Sequence, residues 1–264
     1  MFDPDTLVPA AALGLAVLMA AAWLRQRRTG DAGLVDVVWS GSFGLLAIAY
    51  AAALAAPLER KLLIAAPIVV WSWRLAFHIH RRAARSGVED GRYRALREEK
   101  GDGFQAWIFW FFQAQGVSVV LLSLPALLAL ANEAPAPNAT DLLGAALLLT
   151  SIVGESIADR QLDRFRADPT NRGRVCRDGL WRYSRHPNYF FEWLHWLAYP
   201  VWTWGLPYGT LTWAAPAVML LLMLKVTGIP PTEEQALKSR GDAYRDYQRT
   251  TSAFFPWFPT ESKA

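Results

Sequence analysis

The chain has 264 residues, of which 53% are hydrophobic and 19% charged, with 27 Lys and Arg against 23 Asp and Glu. Its charges gather between long apolar blocks, which excludes a soluble globular enzyme. The net charge of +4 lies in arginines interleaved with acids and flanking those blocks, so it marks membrane topology and not a nucleic-acid surface.

In chain order, the apolar blocks predict seven membrane-spanning helices, at about 7–24, 34–56, 62–80, 104–131, 141–157, 190–209 and 211–228. The first follows an acidic start (Asp3, Asp5) without a basic segment or a cleavage pattern, so it reads as a span and not a signal peptide. A tight turn at Pro207-Tyr208-Gly209 separates the last two. All Lys and Arg except Arg60, Lys61, Arg74 and Lys225 then fall on one side. Positive residues stay cytoplasmic, which puts the N-terminus outside and the C-terminus inside. The reading is an all-α polytopic membrane protein forming one helical domain. Residues 1–131 carry four spans and 132–264 carry three, with Asn132–Asn138 as the break. Alanine- and arginine-rich usage with a single cysteine, Cys176, fits a bacterial inner membrane and allows no internal disulfide. Trp23, Trp39, Trp181, Trp202, Trp204 and Trp257 lie near span ends, where amphipathic rings prefer the interface.

The fifth helix is expected to run past the bilayer to about Ala167, where Asp168-Pro169 stops it. Glu155, Asp159, Leu162/Asp163 and Arg166 then share one face, either a solvated stripe or a wall facing a cofactor. The chain has no G-x-G-x-x-G opening a helix after a strand, no P-loop and no nucleophile elbow. Its four histidines, His78, His80, His186 and His195, are too few for a His-box di-iron site. Glu192 and His195 form only one Glu-x-x-His pair, so no metal is expected.

What remains is cationic and hydrogen-bonding. Arg74 lies inside the third span, where a charge faces the bundle interior or snorkels. The following loop carries Glu89-Asp90-Gly91-Arg92-Tyr93. Arg166 to Arg174 form a basic turn. Tyr183 precedes Arg185-His186-Pro187-Asn188-Tyr189, and Glu192 lies one turn into the sixth helix. Arginine offers bidentate donors to phosphate. Glu192 in an apolar helix needs a partner, because an unpaired buried carboxylate is costly. A capped helix from Thr232 leads through Gly241 to Tyr244 and Tyr247. The apolar tail Phe254–Pro259 closes toward the membrane, as an anchor, a lid or both.

These residues resemble a known group. The segment 155–192, with D-x(6)-R, a basic turn, G-L-W-x-Y and N-Y-x-x-E, looks like the C-terminal cofactor region of steroid 5-alpha-reductases. L-V-D-x-x-W at 34–39, E-D-x-R-Y at 89–93 and R-H-P-N-Y at 185–189 look like that superfamily's bacterial and plant branch, a domain of unknown function related to steroid reductases. The resemblance implies seven helices, NADPH held in the cytoplasmic half, and reduction of a carbon–carbon double bond conjugated to a carbonyl. It places Arg74, Arg166 and Arg174 on cofactor phosphates, Asp159 and Asn188 on ribose or adenine, and Glu192 on the nicotinamide amide. Arg92 and Tyr93 come from the covering loop. Tyr183, Arg185, His186, Tyr189 and Tyr244 complete the expected cofactor-binding set. Asp36 or Tyr93 is the expected group that polarises or protonates the acceptor. Steroid 5-alpha-reductases use a Glu on the second helix and a Tyr on the third, where this chain has Asp36 and Trp71. The implied substrate therefore extends to other apolar enones, unsaturated acyl chains and isoprenoids drawn from membrane lipid.

R-H-P-x-Y with the tail E-E-x-x-L…G-x-x-Y-x-x-Y, at 233–247, also resembles isoprenylcysteine and phospholipid methyltransferases, which bind S-adenosylmethionine. Phe191 stands where that branch commonly has Gly, and the branch lacks the Asn188/Glu192 pair. A non-enzymatic lipid-binding protein is the third reading.

Overall fold

The computed structural model describes residues 4–87 and 89–260, and no strand occurs among them. Asp3, half of the acidic start, lies outside the described residues. Helices α1 (Pro4–Thr29), α2 (Leu34–Ala53), α3 (Leu58–Ser86), α4 (Gly91–Lys100), α5 (Phe104–Leu130) and α6 (Ala139–Ala167) come first. Then follow α7 (Pro187–Trp196), α8 (Ala198–Trp202), α9 (Ala214–Leu221), α10 (Ile229–Arg240) and α11 (Asp242–Thr250). Six helical stretches among the described residues are long and apolar enough to cross a bilayer: Thr6–Thr29, Leu34–Ala53, Leu58–Ala84, Gly91–Leu130, Ala139–Ala167 and Gly209–Arg240. The protein is an all-α polytopic membrane protein.

The sixth expected span is where sequence and structure part. Residues 190–209 do not make one continuous helix. They fall in α7 and α8, broken at Leu197, and in turns beyond Trp202. Pro200 explains the break, since it has no N–H to give the Trp196 carbonyl and its ring crowds that turn. The seventh runs on as expected but is irregular. A 3₁₀ turn at Gly209–Trp213 leads into α9, and a π-helical segment at Leu222–Val226 precedes α10. At the expected turn before it, Tyr208 adopts left-handed backbone with φ 63°.

The described residues divide into two compact units, up to Leu142 and from Leu143 onward. The first turn of α6 is tied to the first unit. Arg60 of α3 makes two 2.9 Å bonds to Asp141 of α6 and also donates to the carbonyls of Asn132, Ala134 and Pro135. Within that unit α2 packs on α3 through Ser72, whose hydroxyl donates to the Ser40 carbonyl and accepts from Gly44 N. Trp39 Nε1 donates to Ser118, and Tyr50 meets Ser123, joining α2 to α5.

In the second unit α6 and α7 approach closely. A Cβ on Gly154 would collide with the Phe191 ring, and Ser151 donates to the Phe191 carbonyl at 2.6 Å. The C-terminal tail docks on the segment before α7. Arg185 N donates to Ser252 O, Ser184 Oγ to Phe254 O, and Trp257 N to Tyr183 O. Phe254 is buried against Phe190 and Trp193.

The tryptophans divide. Trp204 and Trp257 are 70% and 72% exposed, as interface anchors require. Trp181 and Trp202 are buried, while Trp23 and Trp39 are half-buried and donate to Gln105 O and Ser118.

Candidate functional site

In the first unit, α4 is capped by Asp90, whose carboxylate accepts from Arg92 N. That cap aims the next two side chains at α2. Arg92 Nη2 donates to Asp36 Oδ2 and Tyr93 Oη donates to Asp36 Oδ1, each at 2.9 Å. The two expected catalytic residues thus meet each other. Tyr93 is 3% exposed among Phe104, Ile108 and Phe112, while Asp36 and Arg92 keep partial access to solvent. Burial works against ionisation of Asp90, but hydrogen bonds and charge from Arg92 win and hold its pKa below the ordinary carboxylate value. Glu89 fastens the same loop by accepting from Ala32 N and Arg97. Arg74 is half-buried along α3.

In the second unit the α6 stripe splits. Glu155 and Asp159 are buried, whereas Asp163 and Arg166 are exposed. Asn188 Nδ2 approaches Asp159 Oδ1 at 3.4 Å, and Glu192, one turn further along α7, is 8% exposed. This is an apolar helix pair that hides two carboxylates on α6 and one on α7.

Just beyond α6 lies an open cleft of about 350 Å³ whose lining includes Arg166, Asp168, Arg172, Arg174 and Arg240. Asp168 is turned to its own loop, accepting from Thr170 N and Oγ1, and these bonds lower its pKa. Four arginines and one carboxylate thus surround one concave space, a lining whose net positive charge suits an anion. The basic turn supplies three of them. Arg240 comes from the end of α10 and was not among the expected residues.

Arg185 and His186, expected among the cofactor-binding residues, both meet Glu233 of α10. Arg185 Nε donates to Glu233 Oε1 at 2.7 Å, and its Nη1 donates to the carbonyls of Gln248 and Thr251. His186 Nε2 lies 3.2 Å from Glu233 Oε1, Tyr244 Oη donates to the same oxygen at 3.3 Å, and Gln248 Nε2 donates to Oε2 at 2.8 Å. The physical reason is burial. A half-enclosed carboxylate on α10 gathers the nearest donors, so these side chains join α7, α10 and α11. Burial lowers the His186 pKa against the upward pull of Glu233, which favours the neutral imidazole. Burial, then the Glu233 charge, raises that of Tyr244. Tyr189 stacks on the His186 ring at 5.3 Å and meets Thr232, while Tyr183 packs edge-on to Phe258. Among the described residues no group of three or more His, Cys, Asp or Glu is arranged to hold a metal.

Residues 22–251 match the family described as "Protein of unknown function (DUF1295)". The chain belongs to the DUF1295 family. That match takes in Asp36, Tyr93, the arginine cleft and the Glu233 cluster, and stops short of the docked tail. The chain is 28% identical over 225 residues to Uncharacterized protein C594.04c of Schizosaccharomyces pombe, covering 75% of this chain and 64% of that protein. It therefore spans somewhat less than two thirds of the relative's length. No solved structure gives a significant match.

Proposed function

We propose that this DUF1295 protein is a membrane-embedded, NADPH-dependent reductase of a conjugated carbon–carbon double bond in an apolar lipid or steroid-like substrate. The observation that carries the reading is the four-arginine cleft at the end of α6. A dinucleotide bearing a diphosphate and a phosphomonoester suits it. S-adenosylmethionine has no phosphate and carries a sulfonium, which four guanidiniums disfavour. The methyltransferase reading keeps the support of its Arg185–Glu233 sequence pattern.

When bound, NADPH supplies hydride. Arg166, Arg172, Arg174 and Arg240 neutralise its phosphates. Asp159 and Asn188 hydrogen-bond ribose or adenine, and Glu192 orients the amide, as the resemblance to steroid 5-alpha-reductases implies. The apolar helices exclude water and admit the lipid. Asp36 or Tyr93 polarises or protonates the acceptor. We place the protein in a bacterial inner membrane, which its alanine- and arginine-rich usage with one cysteine supports, with its basic loops cytoplasmic, which the lysine and arginine distribution supports.

The test is the melting temperature of the detergent-purified protein with NADPH, NADH or S-adenosylmethionine. A ligand at about 100 times its dissociation constant stabilises the fold by roughly 2.7 kcal/mol. A shift with NADPH supports the reductase. A shift with S-adenosylmethionine alone replaces it with the methyltransferase, and indifference to all three leaves a lipid-binding protein.

A further inference from the structure

Helix α10 presents Glu233, Ala236, Leu237 and Arg240 at positions i, i+3, i+4 and i+7, one continuous stripe. Each member meets the segment between α6 and α7 or the helix that follows. Glu233 holds Arg185 and His186. Ala236 packs with Tyr244 and Tyr247, and Leu237 and Val175 close the same cluster. Arg240 Nε donates to the Arg174 carbonyl at 2.9 Å. The helix is thus held at both ends, and its last residue is the only cleft arginine that lies outside the 166–174 turn. Arg240 spends Nε on the protein backbone and Nη1 on Ser239 at 3.2 Å, and that fixes which way its guanidinium faces.

From this arrangement we infer that Arg240 is a ligand of the phosphate group that the cleft takes, acting with Arg166, Arg172 and Arg174, and that Glu233 is the positioning residue that keeps Arg240 there. The inference rests on the cofactor reading above and adds to it a binding residue from outside the basic turn. It also gives the Glu233 cluster a task. A carboxylate that takes bonds from Arg185, His186, Tyr244 and Gln248 sets the height of α10 along the connector, two turns from the cleft. Losing it leaves α10 held by Ala236, Leu237, the Tyr189–Thr232 hydroxyl contact and the bond from Arg240 to the Arg174 carbonyl.

The full chain in detergent is titrated with NADPH, read by nicotinamide fluorescence, and with inorganic pyrophosphate, read by thermal shift, at one ionic strength. Arg240→Gln is expected to weaken both about tenfold, the worth of one hydrogen bond to a charged group. Arg240→Lys is expected to recover part of the loss, since it keeps the charge without the planar fork. Glu233→Gln is expected to weaken both ligands as well, and the double variant Arg240→Gln/Glu233→Gln to bind no worse than the weaker single variant, because one event underlies both losses. Where Glu233→Gln does not stay monodisperse, Gln248→Leu, which removes the bond to Glu233 Oε2, takes its place in the cycle.

Unchanged affinity in Arg240→Gln overturns the assignment of Arg240 while the cofactor reading stands. Multiplying losses in the double variant overturn the positioning role of Glu233. Pyrophosphate binding without NADPH binding by the unmodified protein overturns the dinucleotide reading and leaves the arginine site intact. Binding of neither overturns both.

Discussion

Tyr93 donates its hydroxyl proton to Asp36 Oδ1 at 2.9 Å, joining residues 57 positions apart. The hydroxyl has one proton, and it is committed to that bond. On the reductase reading proposed above, Tyr93 serves as an acid only when the bond opens, whereas Asp36, partly open to solvent and also held by Arg92, keeps a route for taking up a proton. Tyr93→Phe is expected to lower the melting temperature by the equivalent of about 1–2 kcal/mol, the low side of a charge-assisted bond, because Arg92 still satisfies the carboxylate. If the proposed reductase reading holds, Asp36→Ala is expected to cut enone reduction by about 100-fold with the NADPH dissociation constant unchanged. Reduction that survives Asp36→Ala removes Asp36 from the chemistry.

The neutral state of His186 has a consequence for pH. Its folded pKa lies below the ordinary 6.5, with burial as the main cause. The unfolded chain therefore binds this proton first as pH falls, so stability present above about 6.5 is lost on acidification toward the folded value. The melting temperature is expected to drop between pH 7.5 and 5.5. In His186→Gln, which titrates no proton at this position, the drop is smaller. Equal slopes in the two proteins refute the assignment of that proton to His186.

The fold was largely legible because long apolar runs admit few other solutions in a membrane protein. The sixth span failed at Pro200, where hydropathy stays high while the backbone loses a donor. The α6 face was legible as a stripe, but only packing decides that Glu155 and Asp159 are buried and Asp163 is not. The basic turn at 166–174 was readable as a run of arginines, and the structure brings Arg166, Arg172 and Arg174 to one cleft. Arg185 and His186 carried the right chemistry for a phosphate, yet the sequence does not say that a carboxylate 48 positions later takes them first. Glu233 and Arg240 stood seven apart on a recognisable helix. That spacing was the available signal, and it acquires meaning only once α10 is seen against the connector.

Gly154 has a narrow task at the α6–α7 contact. Any Cβ there meets the Phe191 ring, and Phe191 is fixed by the bond from Ser151 to its carbonyl. Gly154→Val is expected to destabilise by about 1–3 kcal/mol through overpacking. Gly14→Val, with nothing near its Cβ, serves as the control and is expected to leave the melting temperature nearly unchanged. Similar losses in both mean helix propensity, and not the Phe191 contact, sets the effect.

Arg60 and Asp141 form a deeply buried ion pair, at 1% and 2% side-chain exposure. Arg60 spends its remaining donors on three loop carbonyls, and Asp141 also accepts from Asn138 N. Removing one partner leaves a charge enclosed without compensation, which costs about 3–5 kcal/mol, whereas replacing both with apolar groups of similar volume is often near neutral. Asp141→Ala is therefore expected to lower the melting temperature strongly. Arg60→Met/Asp141→Leu is expected to lose less, because Ala134 and Pro135 lie at the surface, where water can replace Arg60 at their carbonyls. A double variant as unstable as Asp141→Ala would mean that the pair itself, and not the avoidance of an enclosed charge, holds the 132–141 loop against α3.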